Sequence, residues 1–248
     1  MRYILLVFLL AIFSIPGTAF GKDTYTVVTD FWPPFRIQNP YGIGGIDMEL
    51  LSVIGKRMHI DFETKRAPWA RCLIDMEHGN ADIMTGLART PEREKYIAYT
   101  SPEYFTCSPA FYERADRKGP SITTYEQLRN VTIGYTRGSA YFEPFDSDMQ
   151  LNKIAIKDEG LMLKMMQEGR WDIMIGTDCQ VDYDIRKNNL ESTLRKVPYQ
   201  PDVHIELYIG ISRKSPLLKR KDELEEVLQG IINDGTMDVI LGHYFSTD

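Results

Sequence analysis

Arg93 has the setting that most directly suggests chemistry. It follows Thr90-Pro91-Glu92, which reads as a helix start: Thr as cap, Pro at the first helical position, an acid in the first turn. An apolar strand expected over 81–85 precedes it, so Arg93 falls at the C-terminal edge of a parallel sheet, where open α/β sheets bind ligands. A guanidinium there can grip a carboxylate through two parallel hydrogen bonds, and helix-start N–H groups add donors. The alternative is a solvated arginine, or an ion pair with Glu92 or Glu94. Catalytic signatures are missing from the chain: it has no G-x-S-x-G, no HExxH, no CxxC and no zinc spacing, and His59, His78, His204 and His243 are scattered. Neither a metal nor a cofactor is expected, nor an enzyme.

The elements that must position Arg93 are written twice. Residues 76–86, Met-Glu-His-Gly-Asn-Ala-Asp-Ile-Met-Thr-Gly, return at 166–176 as Met-Gln-Glu-Gly-Arg-Trp-Asp-Ile-Met-Ile-Gly, with six of the eleven positions identical. Each copy reads as a helix end, a glycine in the left-handed cap conformation, an Asp, and a buried strand. A unit used twice suggests two similar α/β lobes with a ligand between them. The same grammar recurs along the chain, with strands over 25–29, 59–64, 131–135, 154–156 and 172–175. Helices are expected over 48–58, 67–79, 159–168, 217–232 and 237–245. Asp47 reads as the N-cap of its helix, and Gly138-Ser139-Ala140 as another helix start. Strands alternating with helices imply parallel sheets with helices on their faces. Two long extended runs, 104–113 and 205–212, are candidates for paired crossings between lobes, after which the C-terminal helices return to the first.

Residues 1–21 have the character of a cleaved export signal: Arg2, an apolar stretch over 4–15, then Ala19-Phe20-Gly21 before Lys22. The chain carries a net charge of −6, one unit more negative without Arg2, and has no basic tract. That composition argues against nucleic acid as a partner. Cys72, Cys107 and Cys179 are an odd set. In an oxidising compartment Cys72 with Cys107, both in the first lobe, is the favoured pair, with three free thiols as the alternative.

Four pieces occur in order: the aromatic loop Phe31-Trp32-Pro33-Pro34-Phe35, Gly45-Ile46-Asp47-Met48-Glu49-Leu50, the Gly79–Asp82 step, and Thr90-Pro91-Glu92-Arg93 with Ser101-Pro102 behind it. Gly138-Ser139 then follows a strand. Together they resemble the family 3 extracytoplasmic solute-binding proteins, the amino-acid type of ABC transporter receptor, over roughly residues 22–245. The resemblance implies a type II periplasmic-binding-protein fold, α/β, with two lobes, each a mainly parallel sheet flanked by helices, joined by two crossing strands. On that template residues 22–111 and 207–248 form lobe 1, and 112–206 form lobe 2. Arg93 matches the arginine that holds the ligand α-carboxylate, Gly138 and Ser139 the second-lobe contact to it, and Trp32 and Trp69 the rings against the ligand side chain. Asp178 is the nearest acid for the ligand ammonium, although Thr177 stands at the usual spacing. Gly86 and Ala88 replace hydroxyls found in many amino-acid binders. Trp69-Ala70-Arg71 adds a cation that either meets a second ligand acid or pairs with Asp75, in a form similar to a branch often found without an obvious transporter. The expected protein is a periplasmic monomer that captures a small carboxylate-bearing solute for an inner-membrane permease complex. A ligand sensor working through a membrane receptor, or a dehydratase on the same fold, are the alternatives.

Overall fold

The computed structural model describes residues 22–245, so the export segment expected over 1–21 lies outside them. Strand β1 (Thr24–Thr29) leads through the hairpin of β2 (Ile37–Asn39) and β3 (Gly42–Gly44) into α1 (Ile46–Met58). Strand β4 (Asp61–Arg66) then pairs parallel to β1 on one side. Helix α2 (Trp69–His78) delivers β5 (Ile83–Leu87) parallel to β1 on the other. The short helix α3 (Pro91–Glu94), β6 (Ile97–Tyr99) and β7 (Phe105–Cys107) complete this pass.

The chain changes sheet at Ser108. Strands β8 (Pro109–Arg114), β9 (Thr132–Thr136) and β10 (Asn152–Ile156), helix α4 (Glu159–Gln167), β11 (Ile173–Thr177), α5 (Asp178–Lys187) and β12 (Leu194–Lys196) build a second sheet ordered β10-β9-β11-β8-β12. Strand β13 (Ile205–Ser212) crosses back, pairing antiparallel with β7 and inserting between β5 and β6. Helices α6 (Lys221–Asn233) and α7 (Thr236–Phe245) finally pack on α1, burying Leu224, Leu228 and Ile231 against Leu50 and Ile54. Each sheet is therefore mixed: three mutually parallel strands (β4, β1 and β5; β10, β9 and β11) followed by an antiparallel pair, with the lobes linked where β7 passes into β8 and where the chain returns to β13. The extended run expected over 104–113 is two strands, and only the first of them pairs with β13.

The repeated phrase performs one task in both lobes. Gly79 and Gly169 both adopt positive φ, 77° and 70°, ending their helices in the conformation that glycine takes without steric cost. The Asp three residues on then staples the new strand to its neighbour. Asp82 Oδ2 accepts from Thr26 N at 2.7 Å, and Asp172 Oδ2 accepts from Thr132 N at 2.8 Å. Those partners are the third residue of β1 and the first of β9, the strands beside which β5 and β11 lie.

Three expectations need correction. Asp47 is not an N-cap: Gly45 holds that position at φ 107°, and Asp47 sits within the first turn with its side chain fully buried. Residues 138–140 do not begin a helix. Ser139 N closes a tight turn on Thr136 O at 3.1 Å, Tyr141 and Phe145 turn into the core, and Pro144 offers no N–H to a helix. The disulfide joins Cys107 to Cys179, with Cα atoms 5.7 Å apart, while Cys72 is a buried free thiol. Sharing a lobe did not bring Cys72 to Cys107, because β7 ends at the junction, beside the start of α5. Burial, followed by the charge of Asp30, pushes the Cys72 thiol up to about 12, so it is inert.

The bridge spans 72 residues of chain, and closing a loop of that length stabilises a fold by about 2–4 kcal/mol. Reduction, or Cys179→Ser, lowers unfolding free energy in urea by that amount, and an alkylating reagent labels no cysteine of the oxidised native protein. An unchanged urea midpoint after reduction would refute the pairing.

Candidate functional site

The C-terminal ends of β1, β5, β9 and β11 converge on one cleft between the lobes. At its bottom lies a cavity of about 70 Å³ lined by Trp32, Arg36, Trp69, Arg93, Thr136, Ser139, Glu159 and Thr177, with Ile205 and Leu207 among its apolar surfaces. An outer cleft of about 460 Å³ shares Asp30, Phe31 and Asp158 with it.

The first wall is held by charge. Arg36 is buried and donates from Nη1 to Asp47 Oδ2 at 2.5 Å and to Thr85 O at 3.2 Å, and from Nε to Asp30 O at 2.9 Å. Asp47 is completed by the hydroxyls of Thr85 and Tyr104, each at 2.7 Å. The guanidinium carbon lies 4.9 Å from the Trp32 ring centre and 5.6 Å from that of Trp69, within cation–π range. Phe35 stacks on Trp32 at 4.5 Å. Gly86 is explained here. Its φ is 69°, and a Cβ would stand 2.5 Å from Arg36 Nη1, so this strand end has no room for the side chain that a hydroxyl would need. Asp30 is also spent on structure: it accepts from Trp69 N at 3.1 Å, from Phe31 N at 2.9 Å and from the Arg66 guanidinium. That carboxylate fixes the start of α2, whose cap residue Pro68 cannot do so with a side chain.

Arg93 is buried, and Thr90 Oγ1 caps its N–H at 3.2 Å as the sequence suggests. Its Nη1 donates to Ala88 O at 2.8 Å, and its Nη2 reaches the other lobe, to Gly138 O at 2.7 Å. Trp69 Nε1 donates to the same carbonyl at 3.3 Å. Two first-lobe side chains therefore clasp one second-lobe backbone oxygen. Burial draws the pKa of Arg93 below the ordinary arginine value, yet guanidinium stays charged over the whole working range of pH.

The second wall holds Thr177, which the sequence pointed to, together with Thr136 and Glu159, which it did not single out. Thr136 and Thr177 line the cavity, and their hydroxyl oxygens are buried with no hydrogen-bond partner. Glu159 is buried at the first turn of α4, where Asp158 Oδ1 caps the helix by accepting from Leu161 N at 2.8 Å. Burial first, then the charge of Asp184, pushes the Glu159 carboxyl up to about 8; Arg36 and a hydrogen bond from Trp32 pull the other way. Its only visible signal was an acid in a helix-start position, which is ordinary capping grammar.

Of the sequence-selected residues, Trp32, Trp69, Gly86, Ala88, Arg93, Ser139 and Thr177 line the cavity, and Gly138, outside that lining, meets two of them, Arg93 and Trp69, through its carbonyl. Arg71 and Asp178 are absent from that lining. Arg71 is exposed and pairs with Asp75 at 3.0 Å. Asp178 accepts from Ser108 N at 2.8 Å and Cys179 N at 2.7 Å, bracing the junction. Among the described residues one cluster has potential metal ligands, Cys107, Asp178 and Cys179, and its two sulfurs are joined to each other.

Two lobes joined by crossing strands around a buried cation define a protein that encloses a small solute. Residues 25–247 match family 3 of the bacterial extracellular solute-binding proteins, and the chain belongs to that family. It is a binding protein rather than an enzyme. It is 22% identical to the ABC transporter arginine-binding protein 1 of Escherichia coli (strain K12), with 99% of each chain covered. It is 24% identical to the L-cystine-binding protein TcyK of Bacillus subtilis (strain 168), over 78% of this chain and 72% of the relative. In fold it is similar to an ancestral arginine-binding protein bound to arginine, with a TM-score of 0.79 at 19% identity, covering 91% of this chain and 99% of the other. No helix among the described residues is long and apolar enough to cross a membrane.

The Arg36–Asp47 pair sets a stability test. Removing one partner of a buried pair leaves an uncompensated charge and costs about 3–5 kcal/mol. Asp47→Ala lowers unfolding free energy in urea by that much; a loss below about 1 kcal/mol, the scale of an exposed pair, would show the pair to be dispensable.

Proposed function

We propose that this protein captures a small amino acid, or a related carboxylate-bearing compound, in the interlobe cleft, closes over it, and delivers it from the periplasm to an inner-membrane ABC permease. The observation that carries the reading is Arg93: a buried guanidinium on the cavity wall with N–H groups beyond the two given to Ala88 O and Gly138 O. A guanidinium has five such donors in a planar fork suited to a carboxylate. Ser139 lies opposite on the second lobe and offers its hydroxyl, since its N–H is committed to Thr136 O. Trp32 and Trp69 supply flat apolar faces for the rest of the solute, and Gly86 and Ala88 leave that side without hydroxyls. A ligand touching both lobes binds the closed form better than the open one, which is the condition for closure to report occupancy. The names of the relatives, arginine-binding and L-cystine-binding, support an amino acid as the solute class.

The test is a thermal-shift screen of the proteinogenic L-amino acids and L-cystine. At about 100 times its Kd a ligand stabilises the native state by about 2.7 kcal/mol, which raises Tm by roughly 5–10 °C for a chain of this size. Arg93→Ala weakens calorimetric affinity for each stabilising compound by about 2–5 kcal/mol. Unchanged affinity in that variant would place the carboxylate elsewhere.

A further inference from the structure

An amino acid brings an ammonium as well as a carboxylate, and the second wall lacks the expected acid. Thr177 stands at the end of β11, and Asp178 is bound to backbone N–H groups at the junction. We propose that Glu159, reaching back from the start of α4, receives the ligand α-ammonium, so that the cleft selects zwitterions over simple carboxylates. This rests on the reading that an amino acid is held by Arg93.

Three observations carry it. The first is position. A Cβ added to Gly176 would lie 3.5 Å from Glu159 Oε1, so the carboxylate reaches the end of β11, beside Thr177, from a different element. A Cβ there is excluded by Val181, whose Cγ2 it would meet at 2.5 Å, while its contact with Glu159 would be an ordinary one. The second is charge. Glu159 is 8% exposed and lines the cavity. The cation nearest in effect, Arg36, forms its ion pair with Asp47. The acids Asp158 and Asp184 add like charge around it, and the other ionisable groups facing it, Tyr141 and Tyr112, are phenols held neutral by burial. A buried carboxylate in that setting needs a proton or a cation beside it, and its raised pKa reports the same demand. The third is the pair of hydroxyls. Thr136 and Thr177 are more than nine-tenths buried, line the same cavity and have no partner in the protein, whereas buried polar groups are normally satisfied. An ammonium has three N–H donors: one for Glu159 and others for such oxygens.

The experiment compares each stabilising L-amino acid with its desamino counterpart, the same skeleton carrying hydrogen in place of the ammonium, on wild type and on Glu159→Gln. Wild type should hold the amino acid about 10- to 100-fold more tightly than the desamino acid, the scale of a hydrogen bond to a charged group. Glu159→Gln should remove most of that preference while leaving desamino affinity within about threefold, which also shows the variant folded. Equal weakening of both compounds, or no change in either, overturns the role of Glu159 and leaves the carboxylate site standing. A wild type stabilised by none of the amino acids overturns the amino-acid reading itself and this inference with it.

Discussion

The site depends on the Arg36–Asp47 ion pair. Asp47 gathers Arg36, Thr85 and Tyr104, so one carboxylate ties the aromatic loop after β1, the first turn of α1, the middle of β5 and the residue ahead of β7. Desolvating two charges is costly, and attraction offsets that cost only when geometry is good and the remaining donors are filled. Here Arg36 also reaches Thr85 O and Asp30 O. Three features of the cleft follow. Gly86 must be glycine, because the guanidinium occupies the space of its side chain. The Trp32 and Trp69 rings are arranged around a cation rather than around each other. Arg36, although it lines the cavity, has its charge met by Asp47, whereas Arg93 donates to the backbone oxygens of Ala88 and Gly138.

The two lobes solve one construction problem in the same way and then diverge. A left-handed glycine and an Asp staple start β5 beside β1 and β11 beside β9. Both strands then run to the cleft, where their ends face each other. Past Gly86 the first lobe continues to a buried arginine; past Gly176 the second turns at once into α5, whose first residues are fastened to β7 by the Cys107–Cys179 bond and to Ser108 by Asp178. That fastening occupies the acid which the spacing offered for ligand contact. The junction and the binding wall compete for the same few residues, and in this chain the junction took Asp178.

Much of this was legible in the sequence because it is local. The paired Gly-x-x-Asp steps, the Thr90 cap with Pro91 behind it, and the alternation of strands and helices depend on neighbours a few residues apart. Arg93 was found by such reasoning, and so was the Arg71–Asp75 alternative. The misreadings share one cause. Asp47 has the spacing of a cap, but its partners Arg36, Thr85 and Tyr104 are distant in sequence, and a buried pair cannot be told from a cap by position. Cys107 meets Cys179 across the junction, a contact made by topology rather than by lobe membership. Gly138-Ser139 follows a strand as a helix start would, yet Tyr141 and Phe145 demand burial and Pro144 removes a donor. Glu159 was invisible for the opposite reason: an acid in the first turn of a helix has a sufficient local explanation.

The clasp on Gly138 bears on how closure is tuned. Trp69 and Arg93, both from the first lobe, donate to one second-lobe carbonyl, and Gly138 comes within ordinary contact of Ala70 and Leu73 on α2. These bonds join the two lobes directly, so part of the stability of this arrangement comes from protein–protein contact. A ligand shifts the equilibrium only by what it adds beyond those contacts. A solute that merely filled the cavity would add apolar contact to Trp32, Trp69, Ile205 and Leu207. One that joined Arg93 on the first wall to Glu159 on the second would add charge pairing made only when the lobes meet. On the proposed reading, a solute carrying only one of the two charges would leave either Arg93 or Glu159 without its partner, and closure would favour the zwitterion.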